Sequence, residues 1–224
     1  MREIFDAVSP MKEDQLLDMP DDLTTAFPRE PLTWLRKYGI MDLELQRNNV
    51  QWSPSTKRLY FPIYDHESGA EMVACESRNF SGDGPKSIWK GQSKNDVIHV
   101  IGMELSGTIV VVEDIISAIK VGRHYPTLCL FGSSITDIAL NRLRRLQGDD
   151  RGVQGITLWL DADKLSTALR IGQRASAMGI TARVVYTDQD PKCYHNNYII
   201  ETVLDAVNNK QGEISGKQPD SDVH

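Results

Sequence analysis

The sequence predicts an α/β protein, with a parallel sheet flanked by helices and preceded by a small α+β subdomain. Three observations lead there. Beyond Gly107, apolar strand patterns alternate with helical patterns over short connections, which is how a chain builds a parallel sheet with its crossover helices. Between Val50 and Val100 the pattern is of short extended pieces separated by turn residues. The 224 residues are 40% hydrophobic and 25% charged, enough apolar content to bury a substantial core.

The elements follow in order. Residues 1–30 are acidic and interrupted by Pro10, Pro20 and Pro28, which makes them a lead-in. Pro31 to Tyr38 reads as a short helix, with proline in the first turn, Leu32, Leu35 and Tyr38 on one face, and Gly39 to end it. Arg58–Tyr64 and Met72–Arg78 read as a strand and its return around a turn at Asp65–Gly69, with a loop over Asn79–Gly84. The later strands are expected at Thr108–Val112, Thr127–Phe131, Gly155–Leu160 and Ala182–Tyr186. Helices are expected at Ile115–Gly122, Ile135–Gln147 and Lys164–Met178, the last with Leu165, Ala168, Leu169 and Ile171 at helical spacing for packing on the sheet. A final helix over Asn196–Val207 precedes a polar tail. The chain thus divides into a lead-in (1–30), an N-terminal subdomain (31–106), a sheet domain (107–190), a C-terminal helix (191–208) and a disordered tail (209–224).

Composition removes several classes of function. The longest apolar run, Ile109–Val112, is four residues, against the roughly 20 that a membrane helix needs. The N-terminus lacks the apolar stretch of a secretory signal. Cys75, Cys129 and Cys193 are odd in number and widely spaced, so neither a disulfide framework nor a zinc ribbon is encoded. A cytoplasmic protein with reduced thiols is expected. The net charge of −6 weighs at first against a nucleic-acid partner. Residues 1–30, however, hold 3 basic and 8 acidic residues and residues 187–224 hold 3 and 7, leaving 19 basic and 16 acidic in residues 31–186. The acidity lies in the two ends, and nucleic acid stays open as a partner.

The chemistry is expected where strands end, because ligands of open parallel sheets bind at the carboxyl ends of the strands. Glu113 and Asp114 follow the first strand of the sheet domain, and Asp161-Ala-Asp163 follows the third. Residues two apart in an extended chain project to the same side, so Asp161 and Asp163 are expected to face one site. Converging carboxylates repel unless a cation lies between them, and Mg²⁺, hard and oxygen-seeking, is the natural one. A single acid in such a place also serves as a helix cap; the coincidence on two strands points to the cation. Gly132-Ser-Ser suits a tight turn whose N–H groups approach a phosphate, or simply a turn. Trp34, Trp52 and Trp89 suit base stacking, although core packing is the better reading of Trp34. His99, His124 and His195 lack metal-ligand spacing.

The order of Glu113 after an apolar strand, Leu130-Phe-Gly132-Ser-Ser-Ile-Thr136, then Leu160-Asp161-Ala-Asp163-Lys164, resembles the Toprim domain of bacterial-type primases, topoisomerases and some nucleases. Upstream, Arg58-Leu-Tyr-Phe-Pro-Ile-Tyr-Asp65 with Gly69, Glu76-Ser-Arg78 and Pro85-Lys86 is similar to the N-terminal half of the RNA-polymerase core of bacterial and phage DNA primases. Asp188-Gln-Asp190-Pro191 falls at their acidic Asp-Pro motif. The resemblance covers about residues 30–207 and implies a Toprim-like sheet that synthesises RNA primers on a single-stranded DNA template from ribonucleoside triphosphates. It implies Glu113, Asp161 and Asp163 as catalytic residues, the same three with Asp190 as ligands of Mg²⁺ or Mn²⁺, and Arg78, Lys86, Lys90, Lys94 and Lys164 as nucleotide- or template-binding cations. A solvated basic loop is the competing reading for Lys90 and Lys94. The family usually places Gly after the Glu and Asp four residues beyond it; Asp114 and Ser117 stand there instead. No zinc ribbon and no Gly-x-x-x-x-Gly-Lys helicase motif occurs in this sequence; either it is a catalytic core trimmed from a longer chain, or a zinc-ribbon module and a replicative helicase are partners in trans. A Toprim-type nuclease and an inactive replisome adaptor are the alternatives.

Overall fold

The computed structural model describes residues 17–66, 71–148, 152–208 and 215–216. Most of the lead-in, the tip of the turn at Asp65–Gly69 and nearly all of the expected tail lie outside these. Residues from 17 onward run along the first subdomain, where Thr24 and Trp52 exchange backbone hydrogen bonds of 2.8 Å and Asp22 accepts from Ser53 Oγ and the Ser55 N–H, each at 2.7 Å.

Helix α1 (Arg29–Lys37) and the short helix α2 (Asp42–Arg47) lead into an antiparallel sheet of β1 (Gln51–Ser53), β2 (Arg58–Tyr64), β3 (Met72–Asn79) and β4 (Ser87–Gly91), hydrogen-bonded in that order. Helix α1 begins at the expected proline turn, and Gly39, at φ 72, supplies the left-handed residue past its end. The sequence pattern missed α2, β1 and β4. Six residues are too few to show helical periodicity, and β4, Ser-Ile-Trp-Lys-Gly, is a half-exposed edge strand without a clean apolar alternation.

The second sheet contains β5 (His99–Ile101), β6 (Gly107–Val112), β7 (Thr127–Cys129), β8 (Val153–Leu158), β9 (Ala182–Tyr186) and the two-residue β10 (Ser215–Gly216), in the order β10-β9-β8-β6-β7-β5. All neighbours are parallel except β5, which pairs antiparallel with β7. Although β5 precedes Gly107, it belongs to this sheet. Helices α3 (Ile115–Val121), α4 (Asp137–Gly148), α5 (Leu165–Ala177) and α6 (Asn196–Asn208) flank it. The strand β7 stops at Cys129 because the chain turns sharply at Phe131, which takes the left-handed φ of 53. No helix among the described residues is long and apolar enough to cross a membrane.

Strand β6 is buried on both faces, as expected for the centre of a parallel sheet, and successive side chains alternate between two cores. Ile109 and Val111 pack with Leu140 and Leu143 of α4 and Ile171 of α5. Val110 and Val112 pack with Ile119 of α3 and Val203 of α6, and this same core takes in Leu35, Leu59 and Ile63 of the first subdomain. The two sheets therefore share one apolar core. A buried ion pair also joins them: Arg142 of α4 meets Asp65, just past β2, at 2.5 Å, and Asp65 accepts the Ile98 N–H at 2.8 Å.

Behind β5 the backbones of Gly102 and Gly122 touch. Gly102 has φ +100, and a Cβ there would lie 2.0 Å from the Gly122 carbonyl oxygen. Gly102→Ala should cost about 2–3 kcal/mol through strain and overlap, read as a lowered denaturant midpoint; an unchanged midpoint would show that the α3 end can retreat.

Candidate active site

Strand order reverses around β6: the chain leaves it to β7 on one side and returns to β8 on the other. The carboxyl ends of β6 and β8 thus form the crevice at which open α/β sheets bind ligands. Glu113 leaves β6 and Asp161 leaves β8 at that crevice. Among the described residues, Glu113 Oε2 and Asp161 Oδ1 are buried with no hydrogen-bond partner. Burial raises the proton affinity of Glu113, with Lys164 opposing and Asp163 and Asp114 adding to the rise. Burial likewise pushes Asp161 up to about 6, against the pull of Lys192 and with help from Asp114, Asp190 and Glu113. Unpartnered buried carboxylates are costly, so these two oxygens are poised for a cation or a proton.

Asp163 does not join them. The chain enters a 3-10 turn at Ala162–Lys164 directly after Asp161, and the two-residue alternation of an extended strand lapses there. The Asp163 side chain is 72% exposed and lies 2.6 Å from Lys164 Nζ, whose hydrogen bond keeps it below the usual carboxylate range.

Asp190 does reach the crevice. It precedes the 3-10 turn Pro191–Cys193 and accepts the Ala162 N–H at 3.2 Å, which ties the loop after β9 to the loop after β8. Trp159, fully buried, braces the same pair of loops by donating from Nε1 to Thr187 Oγ1 at 2.9 Å.

Asp114 caps α3, accepting from the Ile116 and Ser117 N–H groups at 2.9 and 3.2 Å and from Ser117 Oγ at 2.7 Å. The two departures from the family pattern are thus bonded to each other. Gly132 N–H donates to the Glu113 carbonyl at 3.0 Å, so that group serves the backbone rather than a phosphate.

Lys192 is the residue that sequence reasoning passed over. Its Nζ lies 2.9 Å from Asp190, 3.0 Å from Asp114 and 3.7 Å from Asp161. Burial opposes its charge, yet these carboxylates hold the ammonium above its ordinary range. Its strand-end position, two residues after Asp190, was the available signal. The significance of a lysine there depends on three loops meeting, which no local pattern encodes.

A cleft of about 230 Å³ opens between the two sheets, lined by Asp114, Asp161 and Lys192 on one wall and by Trp34, Arg78 and Lys86 on the other. Arg78 stacks over the Trp34 ring at 4.4 Å, a cation–π contact that fixes the guanidinium, and burial lowers its proton affinity. Lys90 is engaged elsewhere. On β4, Lys90 alternates with Trp89 and so faces away from Glu76 and Arg78; it donates to the Asp18 carbonyl at 2.6 Å. Lys94 sits over the Trp89 ring at 5.2 Å and donates to the Phe131 carbonyl at 3.2 Å. Trp34 contacts Tyr38 and Phe80 edge-on, and Trp52 is buried against Phe80.

Among the described residues, no three His, Cys, Asp or Glu side chains are arranged to hold a metal ion. The pair Glu113 and Asp161 nevertheless fits one hard divalent cation, since Mg²⁺ commonly takes one or two carboxylates and completes its shell with water and phosphate oxygens.

The sequence matches no protein-family profile and no curated protein. Solved structures do match. The DnaG catalytic core aligns with TM-score 0.62 and 15% identity over 80% of this chain and 73% of that one. The E. coli primase catalytic core gives 0.61 and 14% over 79% and 72%. The primase fragment of the bacteriophage T7 primase-helicase protein gives 0.56 and 18% over 76% and 72%. The chain has the fold of a DnaG-type primase catalytic core. The Toprim-like α/β class expected from the sequence is therefore present. Within this primase fold the carboxylate crevice and the Arg78–Lys86 wall belong to different sheets and meet only because those sheets share a core.

Proposed function

We propose that this protein is a DNA primase catalytic core, a nucleotidyltransferase that makes short RNA primers on single-stranded DNA from ribonucleoside triphosphates. The observation that carries the reading is one cleft that sets Asp161, with its partnerless buried oxygen, opposite the cations Arg78 and Lys86, while the equally partnerless Oε2 of Glu113 lies at the neighbouring strand end. Phosphoryl transfer needs positioning and charge neutralisation more than covalent chemistry, and the cleft supplies groups for both. Asp161 and Glu113 would hold Mg²⁺ or Mn²⁺, which when bound supplies the positive charge that the triphosphate oxygens require. Glu113, with its raised proton affinity, is suited to accept the proton of the attacking 3′-hydroxyl. Asp190 steadies the loop that carries Asp161. Arg78 would grip phosphate with its planar fork and Lys86 as a point charge. Asp163 and Lys164, on the rim, would meet template or nucleotide only by re-pairing.

A replicative helicase is the expected partner, in keeping with the T7 primase-helicase neighbour, and a zinc-ribbon module would select the start site. The test is primer synthesis. With a zinc-ribbon module supplied, wild type should make primers on single-stranded DNA and Asp161→Ala none. DNA cleavage without nucleotides, or neither reaction, would overturn the reading in favour of a nuclease or an adaptor. Arg78→Ala and Lys86→Ala should each weaken single-stranded DNA or nucleotide binding by about 10-fold and lower the salt slope by about 1; unchanged salt dependence would remove them from the phosphate path.

A further inference from the structure

We infer that the Lys192 ammonium is a resident cation of the acidic crevice, filling one of its positive positions so that the site takes a single divalent ion, between Glu113 and Asp161. This rests on the nucleotidyl-transfer reading of the site and specifies its cation content. Four carboxylates, Glu113, Asp114, Asp161 and Asp190, crowd the ends of β6, β8 and β9. They divide into two sets by what faces them. Asp114 and Asp190 each present an oxygen to Lys192 at 3.0 and 2.9 Å, and Asp161 turns its Oδ2 toward the same nitrogen at 3.7 Å. Glu113 Oε2 and the second oxygen of Asp161 face no donor among the described residues.

The lysine is built in. Its side chain is only 17% exposed, and its backbone carbonyl accepts from Lys120 Nζ of α3 at 2.9 Å, a lysine that is itself 7% exposed. Pro191 fixes the turn that aims it. An ammonium with three donors surrounded by three carboxylates reproduces the charge contacts of a metal ion without needing one. Asp114 also makes sense on these terms: an acid at the α3 cap gives Lys192 a second anchor on the β6 side of the crevice.

The test counts ions. Mn²⁺ titration of the full chain, followed by electron paramagnetic resonance of free Mn²⁺ and by calorimetry, should give one ion for wild type and none for Asp161→Asn. Lys192→Met should bind a second ion, and its metal-free melting temperature should fall below wild type and recover with Mn²⁺. Lys192→Arg, which keeps the charge, should stay at one ion. Two ions in wild type, or a Lys192→Met count and affinity equal to wild type, would overturn the inference. Should Lys192→Met fail to fold, the wild-type count still decides. Primer synthesis with two bound ions would leave the primase reading standing and sink the resident cation. An ion count of one that rises to two in Lys192→Met, without primer synthesis, would do the reverse.

Discussion

Asp161→Asn is expected to reduce primer synthesis by about 10³-fold and, at the same time, to make the metal-free protein more stable at neutral pH. The two effects have one source. Asp161 carries a buried oxygen with no partner, and its folded-state pKa stands at about 6 against an ordinary 3.8. Between those values the folded chain binds more protons than the unfolded chain, so stability falls as pH rises through that window and the full penalty is present above it. Asparagine removes the charge and leaves Lys192 with Asp114 and Asp190. A gain of about 1 kcal/mol, or a few degrees in melting temperature, should appear at pH 7.5 and vanish near pH 4. Thermal unfolding across that range measures it. A variant that keeps activity would remove Asp161 from the chemistry, and one that loses both activity and stability would make its role structural.

Asp65→Ala is expected to destabilise the protein by about 3–5 kcal/mol, the usual consequence of taking one partner from a buried ion pair. Asp65 and Arg142 are 6% and 12% exposed, 2.5 Å apart, and each also holds backbone: Asp65 the Ile98 N–H, Arg142 the Asp96 carbonyl. Removal of the carboxylate takes from the buried guanidinium its short ion-pair contact and from the Ile98 N–H its acceptor. Arg142→Ala should cost a similar amount, and the double variant little more than either alone, because the two changes delete the same interaction. Denaturant midpoints of the three variants complete the cycle. Additive losses, or a loss for Asp65→Ala below 1 kcal/mol, would mean that the ion pair is hydrated.

What the sequence could reveal depended on how local each signal was. Val110, Val111 and Val112 announced a strand buried on both faces, and the helix after Lys164 announced its apolar stripe, because burial imposes its period on neighbouring residues. Glu113 and Asp161 were legible for the same reason: strand-end position is a local property with a global meaning. Asp163 was misleading because the rule of alternation holds only while the chain stays extended, and it coils one residue earlier. Lys90 looked like part of one track with Lys86, but strand alternation in β4 turned it to the other face, while Lys94 stays over Trp89 and is tied to the Phe131 carbonyl. Lys192 was silent because its partners lie 78, 31 and 2 residues away in the chain, at Asp114, Asp161 and Asp190.

The common core under the two sheets bears on how the protein could move. A mouth between bodies joined only by a linker can gape and clamp, admitting a strand and then gripping it. Here Leu59 and Ile63 lie in the same apolar interior as Val110 and Val112, so spreading the walls would expose that interior to water, at about 25 cal/mol for every Å² uncovered. The cleft between the sheets is therefore a slot of set gauge. On the primase reading, strand entry and release would fall to side-chain swings at its lip and to whatever proteins present the DNA, and processivity would be supplied by company rather than by a closing jaw.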